Sequence, residues 1–168
     1  LSQIHKIGTQ FEDIYSAHNS SASRKEMKDT ISNLFEIVNL SPHIYNMYPF
    51  ELSGGMNQRV GICISMLQNP SLLLADEPTS ALDVTIQKQV VEEMMLMREE
   101  YGTAMIVVTH NIGVVEKMAD KVLVLKNGKV REYGKTAQVL TAPEDPYTKE
   151  LMSSVPRLKR TGTGNGGR

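Results

Sequence analysis

The sequence is poor in the residues that define several protein classes. It has no tryptophan, one cysteine at position 63 and a formal net charge of −1. A single cysteine excludes an internal disulfide framework, and a balanced charge argues against a nucleic-acid-binding face, which needs a basic excess. No apolar run approaches the roughly 18 residues that span a bilayer, and no signal-peptide pattern opens the chain. We therefore expect a cytoplasmic protein, unless a segment upstream of Leu1 is missing.

What remains is an ordinary globular composition of 168 residues with 40% hydrophobic side chains. This length suits one domain, or part of a larger one. The first half is patterned as helices. Apolar residues at three- and four-residue spacing predict an amphipathic helix over Leu1–Ala17, and Ser23 and Glu26 form a capping box that opens a second helix. Cys63 lies in an apolar run and is expected to be a small buried residue.

The second half alternates strands and helices, which predicts an α/β fold. Ser53 is expected to cap a helix to about Leu67, and Asp83 one that ends near Tyr101-Gly102. Lys126–Lys129 predicts a two-residue hairpin turn, with Lys129–Tyr133 as its returning strand. The remaining predicted elements are buried parallel strands Leu72–Ala75 and Ala104–Thr109, strand Val122–Leu125, and short helices Ile112–Ala119 and Thr136–Leu140.

Three short stretches carry the chemistry. Ser53, Gly54 and Gly55 open a helix, whose first amides can meet a phosphate closely because glycine has no side chain. Asp76 and Glu77 end one apolar strand and His110 ends the next, at the strand ends where ligands of open α/β sheets bind. Taken singly, each has a plain structural interpretation as a cap or a solvated strand end.

Together these stretches strongly resemble the ATP-binding cassette (ABC) ATPases. Leu52–Val60 is similar to the family's signature motif, Leu72–Glu77 to its Walker B strand with the catalytic glutamate, and Ser80–Asp83 to its D-loop. His110 resembles the H-loop histidine. The resemblance implies a partial P-loop NTPase core with a helical subdomain, and the cofactors ATP and Mg²⁺.

The resemblance also implies roles for single residues. Glu77 and His110 would be catalytic, and Asp76 would hold Mg²⁺ through water. The expected nucleotide-binding residues are Ser53, Gly54, Gly55, Gln58 and Asp83. Because the family works as head-to-tail dimers, the signature residues would serve ATP held by the opposite subunit.

The family's phosphate loop, Gly-x-x-x-x-Gly-Lys-[Ser/Thr], is absent from these 168 residues. Gly134-Lys135-Thr136 fails as a substitute because Gly128 lies one residue too far upstream, and we expect it to open a short helix instead. The family's Q-loop glutamine is expected just before Leu1, since Gln3 and Gln10 fall within a helical pattern. We therefore predict that these residues alone bind ATP weakly and do not hydrolyse it.

The end of the chain resembles the dipeptide, oligopeptide and nickel importer branch, on the segment Asp145–Pro156. The expected organisation is a helical subdomain with the signature motif (1–70), the C-terminal part of the catalytic core (71–142), a peptide-importer extension (143–160) and a disordered tail (161–168). Read without the family, the extension is only a proline-bounded short helix.

The implied function is that of the ATPase subunit of an ABC importer for oligopeptides, dipeptides or nickel, peripheral on the cytoplasmic face of the membrane. Its partners would be a second ABC ATPase subunit, in a homo- or heterodimer, and membrane permeases, with a substrate-binding protein acting indirectly. Tyr45, Tyr48 and Phe50 would lie near the permease contact, or else in the core. Two alternatives stay open: a non-transport ABC ATPase, and a non-catalytic half-domain that lends its signature motif to a partner.

Overall fold

The chain divides into two compact units, Leu1–His110 and a second that begins at Asn111. The structure is a computed structural model that describes residues 1–19 and 21–154. The predicted disordered tail, 161–168, and the end of the predicted extension lie outside the described residues.

Four helices form the core of the first unit: α1 (Ile7–His18), α2 (Arg24–Ile37), α3 (Gly54–Met66) and α4 (Val84–Tyr101). Two short 3₁₀ helices, Pro42–Asn46 and Pro49–Glu51, connect α2 to α3. The helices bury one apolar face each, as their periodicity predicts. Fully or almost fully buried side chains come from all four: Ile7, Phe11, Ile31, Leu34, Val60, Cys63, Met66, Val90, Met94 and Met97.

The first helix begins six residues later than the sequence pattern predicts. Ile4 is 80% exposed, and the helix starts at Ile7. The side-chain amide of Gln10 donates hydrogen bonds to the carbonyls of Ser2 and His5, and its oxygen accepts one from the Ser2 amide. These bonds hold the segment in a turn, in competition with helical hydrogen bonds. The prediction of a helix from Leu1 is therefore wrong for its first turn and a half.

The predicted helix caps are confirmed. Ser23 and Glu26 make both bonds of the capping box, and Ser53 Oγ accepts the Met56 amide at 3.3 Å. Asp83 Oδ1 accepts two amides of the first turn of α4. Gly102 ends α4 in the left-handed region at φ 64°. Local sequence therefore sets where α2 and α3 begin and where α4 begins and ends.

Strands β1 (Leu72–Asp76) and β2 (Ala104–Val108) pair in parallel, in the register Leu73 opposite Met105. The predicted parallel pairing is confirmed, whereas the prediction that both strands are buried is wrong. Alternate side chains of both strands point to a face that none of residues 1–19 and 21–154 covers. The exposed apolar side chains on that face are Leu72, Leu74, Ile106 and Val108. A run of apolar residues predicts two covered faces, whereas only one face of this sheet is packed within the described residues.

The second unit is a hairpin with helices against it. Strands β3 (Lys121–Lys126) and β4 (Lys129–Lys135) pair antiparallel. Asn127 and Gly128 have φ values of 53° and 71°, the left-handed pair that a two-residue hairpin turn of this kind needs. The predicted hairpin is thus confirmed. Helices α5 (Ile112–Met118), α6 (Thr136–Thr141) and α7 (Pro146–Ser154) complete the unit.

The predicted helix of the C-terminal extension is α7, and polar contacts attach it to the hairpin. The Glu132 carboxylate accepts the amides of Glu144 and Asp145, and the Glu144 bond keeps the pKa of Glu132 below its usual value. Asp145 caps α7 through the amides of Tyr147 and Thr148. The segment before α7 is therefore fixed by backbone hydrogen bonds rather than left as a loose appendage.

The rejected phosphate-loop candidate behaves as its plain interpretation predicts. Gly134 and Lys135 end strand β4, and Thr136 is the first residue of α6.

Among the described helices, none combines the length and apolar character that crossing a bilayer requires.

Candidate functional site

The acidic end of β1 lies beside the end of β2. The Glu77 amide donates to the Val108 carbonyl at 2.8 Å, which continues the parallel ladder by one bond beyond Asp76. The residues that follow the two strands are therefore neighbours at the same edge of the sheet. This brings Glu77 and His110 together although 33 positions separate them in the chain.

Glu77 and His110, termed here the strand-end pair, are in direct contact. Glu77 Oε1 lies 2.7 Å from His110 Nδ1 and 3.1 Å from the His110 backbone nitrogen, which donates to it. An ionised carboxylate can only accept, so Nδ1 carries the hydrogen of the shorter bond and a neutral ring presents Nε2 as an acceptor. These bonds hold the pKa of Glu77 below its usual value, the His110 side chain being the main cause.

The strand-end pair is open to solvent. The imidazole of His110 is 82% exposed and the carboxylate side chain of Glu77 is 33% exposed. A charge-assisted hydrogen bond orients both groups, and the exposed imidazole ring is accessible to a ligand. The arrangement can therefore present a carboxylate base and a ring nitrogen to a ligand that approaches the sheet edge.

The backbone is strained on both sides of the turn that follows Glu77. Glu77 and Ala81 have φ values of 46° and 60°, in the left-handed region that residues with a side chain rarely occupy. The Ser80 amide donates to the Glu77 carbonyl at 3.0 Å, and Pro78 and Thr79 are buried. Buried neighbours and a turn hydrogen bond thus hold Glu77 in a conformation that costs energy.

Ser53, Gly54 and Gly55, termed here the signature turn, form the beginning of α3. Ser53 and Gly54 are exposed, so the amino end of the helix is accessible to solvent. Gly55 is buried, and a Cβ atom placed on it would lie 2.6 Å from Ile86 Cγ2 on the first turn of α4. Glycine at this position is therefore a packing requirement between two helices as well as a means of approaching a ligand.

The other predicted binding residues lie next to this turn. A Cβ on Gly54 would meet Leu82 at 3.6 Å, so the signature turn touches the segment that leads to Asp83. Asp83 Oδ1 is bonded to the amides of Thr85 and Ile86, both at 3.1 Å. Gln58 lies half-buried on the second turn of α3. The structure thus brings Asp83 and the signature turn to the start of adjacent helices.

One cluster was not predicted as part of the site. Arg59 Nε donates to Glu93 Oε2 at 2.8 Å, and a terminal guanidinium nitrogen donates to Gln89 Oε1 at 3.0 Å. The side chains of Arg59 and Glu93 are only 12% and 10% exposed. The signal was present in the sequence, since Glu93 occupies a position among the apolar residues of an amphipathic helix, where an acid needs a partner.

The carboxylates at the end of β1 suit magnesium better than a metal held by protein alone. Within residues 1–19 and 21–154, no group of three or more His, Cys, Asp or Glu side chains is arranged to hold a metal ion. Mg²⁺ keeps several waters and is typically bound by one or two carboxylates and the phosphates of its substrate. The exposed Asp76 fits that limited role.

Models of known protein families match the same segments of the chain. Residues 2–80, which include the signature turn and the strand through Glu77, match the model of the ABC transporter family. Residues 131–166 match the C-terminal region of the oligopeptide/dipeptide transporter family. The chain therefore contains part of an ABC transporter domain, followed by an oligopeptide/dipeptide transporter C-terminal region. The recognition of this family from Leu52–Val60, Leu72–Glu77 and the C-terminal segment is confirmed.

Curated relatives of this chain are named as ATP-binding proteins of peptide transport. A putative peptide import ATP-binding protein of Brucella ovis is 41% identical over 160 residues, which cover 94% of this chain and 47% of that relative. The oligopeptide transport ATP-binding protein OppD of Salmonella typhimurium is 38% identical over 164 residues, which cover 96% of this chain and 49% of OppD. The chain thus spans about half the length of these relatives.

Solved structures agree on the fold. The dimeric structure of a bacterial ABC transporter cassette, MJ0796, superposes with a TM-score of 0.70 at 28% identity, over 81% of this chain and 59% of the cassette. The predicted α/β fold, a partial ABC ATPase domain with helices and later core strands, is therefore confirmed.

Proposed function

We propose that this chain is part of the ATP-hydrolysing subunit of an ABC importer for oligopeptides or dipeptides. The observation that carries the proposal is the strand-end pair, in which Glu77 Oε1 lies 2.7 Å from His110 Nδ1. It is supported by the family match and by relatives named as peptide import ATP-binding proteins.

Glu77 is proposed as the general base. Its pKa is lowered, so it is ionised at neutral pH and can accept a proton from a water molecule at the sheet edge. The His110 bonds hold the carboxylate in place before the ligand binds, which removes part of the entropy cost of positioning it. His110 would present Nε2 toward the same space, where an imidazole can bond to a water or a phosphate oxygen.

Asp76 would hold a magnesium ion through water, and the metal supplies charge neutralisation for the phosphates when bound. The signature turn would bind phosphate oxygens through the first amides of α3, where the helix dipole also favours negative charge. Gln58 and Asp83 are proposed to lie beside that nucleotide. The phosphate loop that must accompany these residues is absent from the 168 positions.

The proposed assembly is a head-to-tail pair of ABC subunits. In it, the signature turn serves ATP held by the partner, while Asp76, Glu77 and His110 serve ATP held by the subunit to which they belong. The pair works with membrane permeases on the cytoplasmic face of the membrane. The stacked rings of Tyr48 and Phe50 lie 5.4 Å apart with Phe50 70% exposed, which suits a contact with such a permease rather than a place in the core.

The peptide branch is proposed because residues 131–166 match the oligopeptide/dipeptide C-terminal model and contain α7. Nickel import is the alternative within the same branch, whereas the relatives described above are named for peptide transport. A non-catalytic half-domain, which donates its signature motif to a partner, is the alternative that the following test separates from this proposal.

The test is Mg²⁺-dependent ATP hydrolysis by the protein as its native host produces it, compared with its Glu77→Gln variant. We expect turnover to fall by about 10²-fold or more, the range for removal of a positioned acid–base group, while ATP binding persists. The Glu116→Gln variant, on α5, serves as a matched surface control and should hydrolyse normally. Turnover that survives Glu77→Gln would refute the assigned base, and a parent without turnover would favour the half-domain.

A further inference from the structure

The Arg59 cluster connects the two helices that begin at the proposed nucleotide-binding segments. Helix α3 begins at the signature turn, and α4 begins immediately after Asp83. Arg59 lies on the second turn of α3, and its partners Gln89 and Glu93 lie one turn apart on α4. One guanidinium therefore bonds to two successive turns of the neighbouring helix.

A second contact connects the same helices nearer their amino ends. Gly55 approaches Ile86 so closely that a Cβ on the glycine would lie 2.6 Å from Ile86 Cγ2. With the Arg59 cluster, this gives two separate points of attachment between α3 and α4. Two such points fix both the spacing and the relative rotation of the helices, whereas one point would leave rotation free.

The chemistry of the cluster favours a role in geometry over a role in stability. A buried ion pair gains little net free energy, because removing both charges from water offsets most of their attraction. A guanidinium with two acceptors does, however, impose direction, since its donors lie in one plane. Apolar side chains of similar size would fill the space and impose no such direction.

We propose that Arg59, Gln89 and Glu93, termed here the clamp, are positioning residues that hold the signature turn in a fixed place relative to the Ser80–Asp83 segment. This inference rests on the proposed function, in which both segments meet the partner subunit and its ATP. The clamp itself touches no nucleotide. Its effect is to present the two segments together, so that closure of the dimer does not have to order them.

The experiment measures ATP-driven dimerisation of the host-produced protein in a Glu77→Gln background, which prevents hydrolysis. The test variant adds Arg59→Met and Glu93→Met, which remove both charges and keep the volume. We expect the ATP concentration for half-maximal dimerisation to rise about tenfold, within the usual range of coupling between sites. The melting temperature of the nucleotide-free monomer should stay within a few degrees, because the pair contributes little stability.

A matched control removes an ion pair from the exposed surface of the same helix. Lys88 and Glu92 lie 4.0 Å apart with side chains 72% and 46% exposed, and Lys88→Gln with Glu92→Gln should leave dimerisation unchanged. A second variant, Gln89→Ala, guards against misfolding because Gln89 is exposed and the Arg59–Glu93 ion pair stays intact. It removes one of the two acceptors of the guanidinium and should raise the ATP concentration for half-maximal dimerisation about threefold by the same coupling.

The outcomes are distinct. A higher ATP concentration for half-maximal dimerisation, with an unchanged melting temperature, supports the clamp. A concentration within twofold of the parent in both variants overturns it. An equal rise in the Lys88 and Glu92 control also overturns it. Failure of the Glu77→Gln parent to dimerise with ATP would instead overturn the proposed function, and the clamp would fall with it.

Discussion

The signature turn and the strand-end pair are built in different ways. The signature turn is held by packing: Gly55 lies against Ile86, and the Arg59–Glu93 ion pair is nearly buried one turn away. The strand-end pair is held by hydrogen bonds to one carboxylate oxygen in an open location, with His110 82% exposed. The stability of the signature turn should therefore change little when polar side chains at its surface are replaced, and should fall when volume is added. The geometry of the strand-end pair should instead depend on pH and on single polar side chains.

The largest effect on stability is expected from added volume at the signature turn. Gly55→Ala places a methyl group 2.6 Å from Ile86, and relieving that contact should destabilise the fold by about 1–3 kcal/mol. Gly61→Ala is the matched control on the same helix, since a Cβ there meets nothing within 4 Å, and it should stabilise by about 0.5–1 kcal/mol. Thermal unfolding of both variants decides the point. Equal shifts would show that the close contact does not limit this position.

A smaller effect is expected from the cap that follows the strained turn. Asp83 bonds to the amides of Thr85 and Ile86 at 3.1 Å, and Asp83→Ala should destabilise by about 1 kcal/mol through loss of the cap. Asp83→Asn keeps an acceptor oxygen and should recover most of that stability. Chemical denaturation of the two variants provides the measurement, and a loss of equal size in both would mean that charge rather than capping is important.

The smallest effect on stability is expected at the strand-end pair, where the readout is a pKa. The contact with His110 is the main cause of the lowered pKa of Glu77, so His110→Ala should raise that pKa toward the usual value of a glutamate. NMR titration of the Glu77 carboxyl would measure it, with His43→Ala as an exposed control. An unchanged Glu77 pKa in His110→Ala would contradict the assigned contact.

The direction of the pH dependence follows from the same contact. Because folding lowers the pKa of Glu77, the contact stabilises the fold above the unfolded-state pKa of this carboxyl. That stabilisation disappears as the pH falls through the lowered folded-state value. The His110→Ala variant should therefore lose less stability than the parent on acidification.

Local chemistry made much of the fold predictable. The caps at Ser23, Ser53 and Asp83 and the turn at Asn127-Gly128 depend on residues within a few positions of each other, and the structure confirms them. The two parallel strands were also predictable, because short apolar runs between turn signals favour buried strands over helices by their length.

What the sequence did not reveal depends on distant residues. Glu93 finds Arg59 across 34 positions, and the closeness of Gly55 to Ile86 depends on how two helices cross. The exposed face of β1 and β2 was likewise misjudged, because an apolar strand does not show whether both of its faces are covered. Tertiary packing, rather than local propensity, decided each of these points.

The central claim is that the signature turn and the strand-end pair serve two different ATP molecules. The most direct test is a structure of the host-produced protein with Glu77→Gln, bound to ATP and Mg²⁺. The account predicts that the amides at Ser53–Gly55 bond to the phosphates of a nucleotide held by a second subunit. Residue 77 and His110 would border the nucleotide of the subunit to which they belong. A structure in which both regions of one subunit contact the same ATP would contradict it.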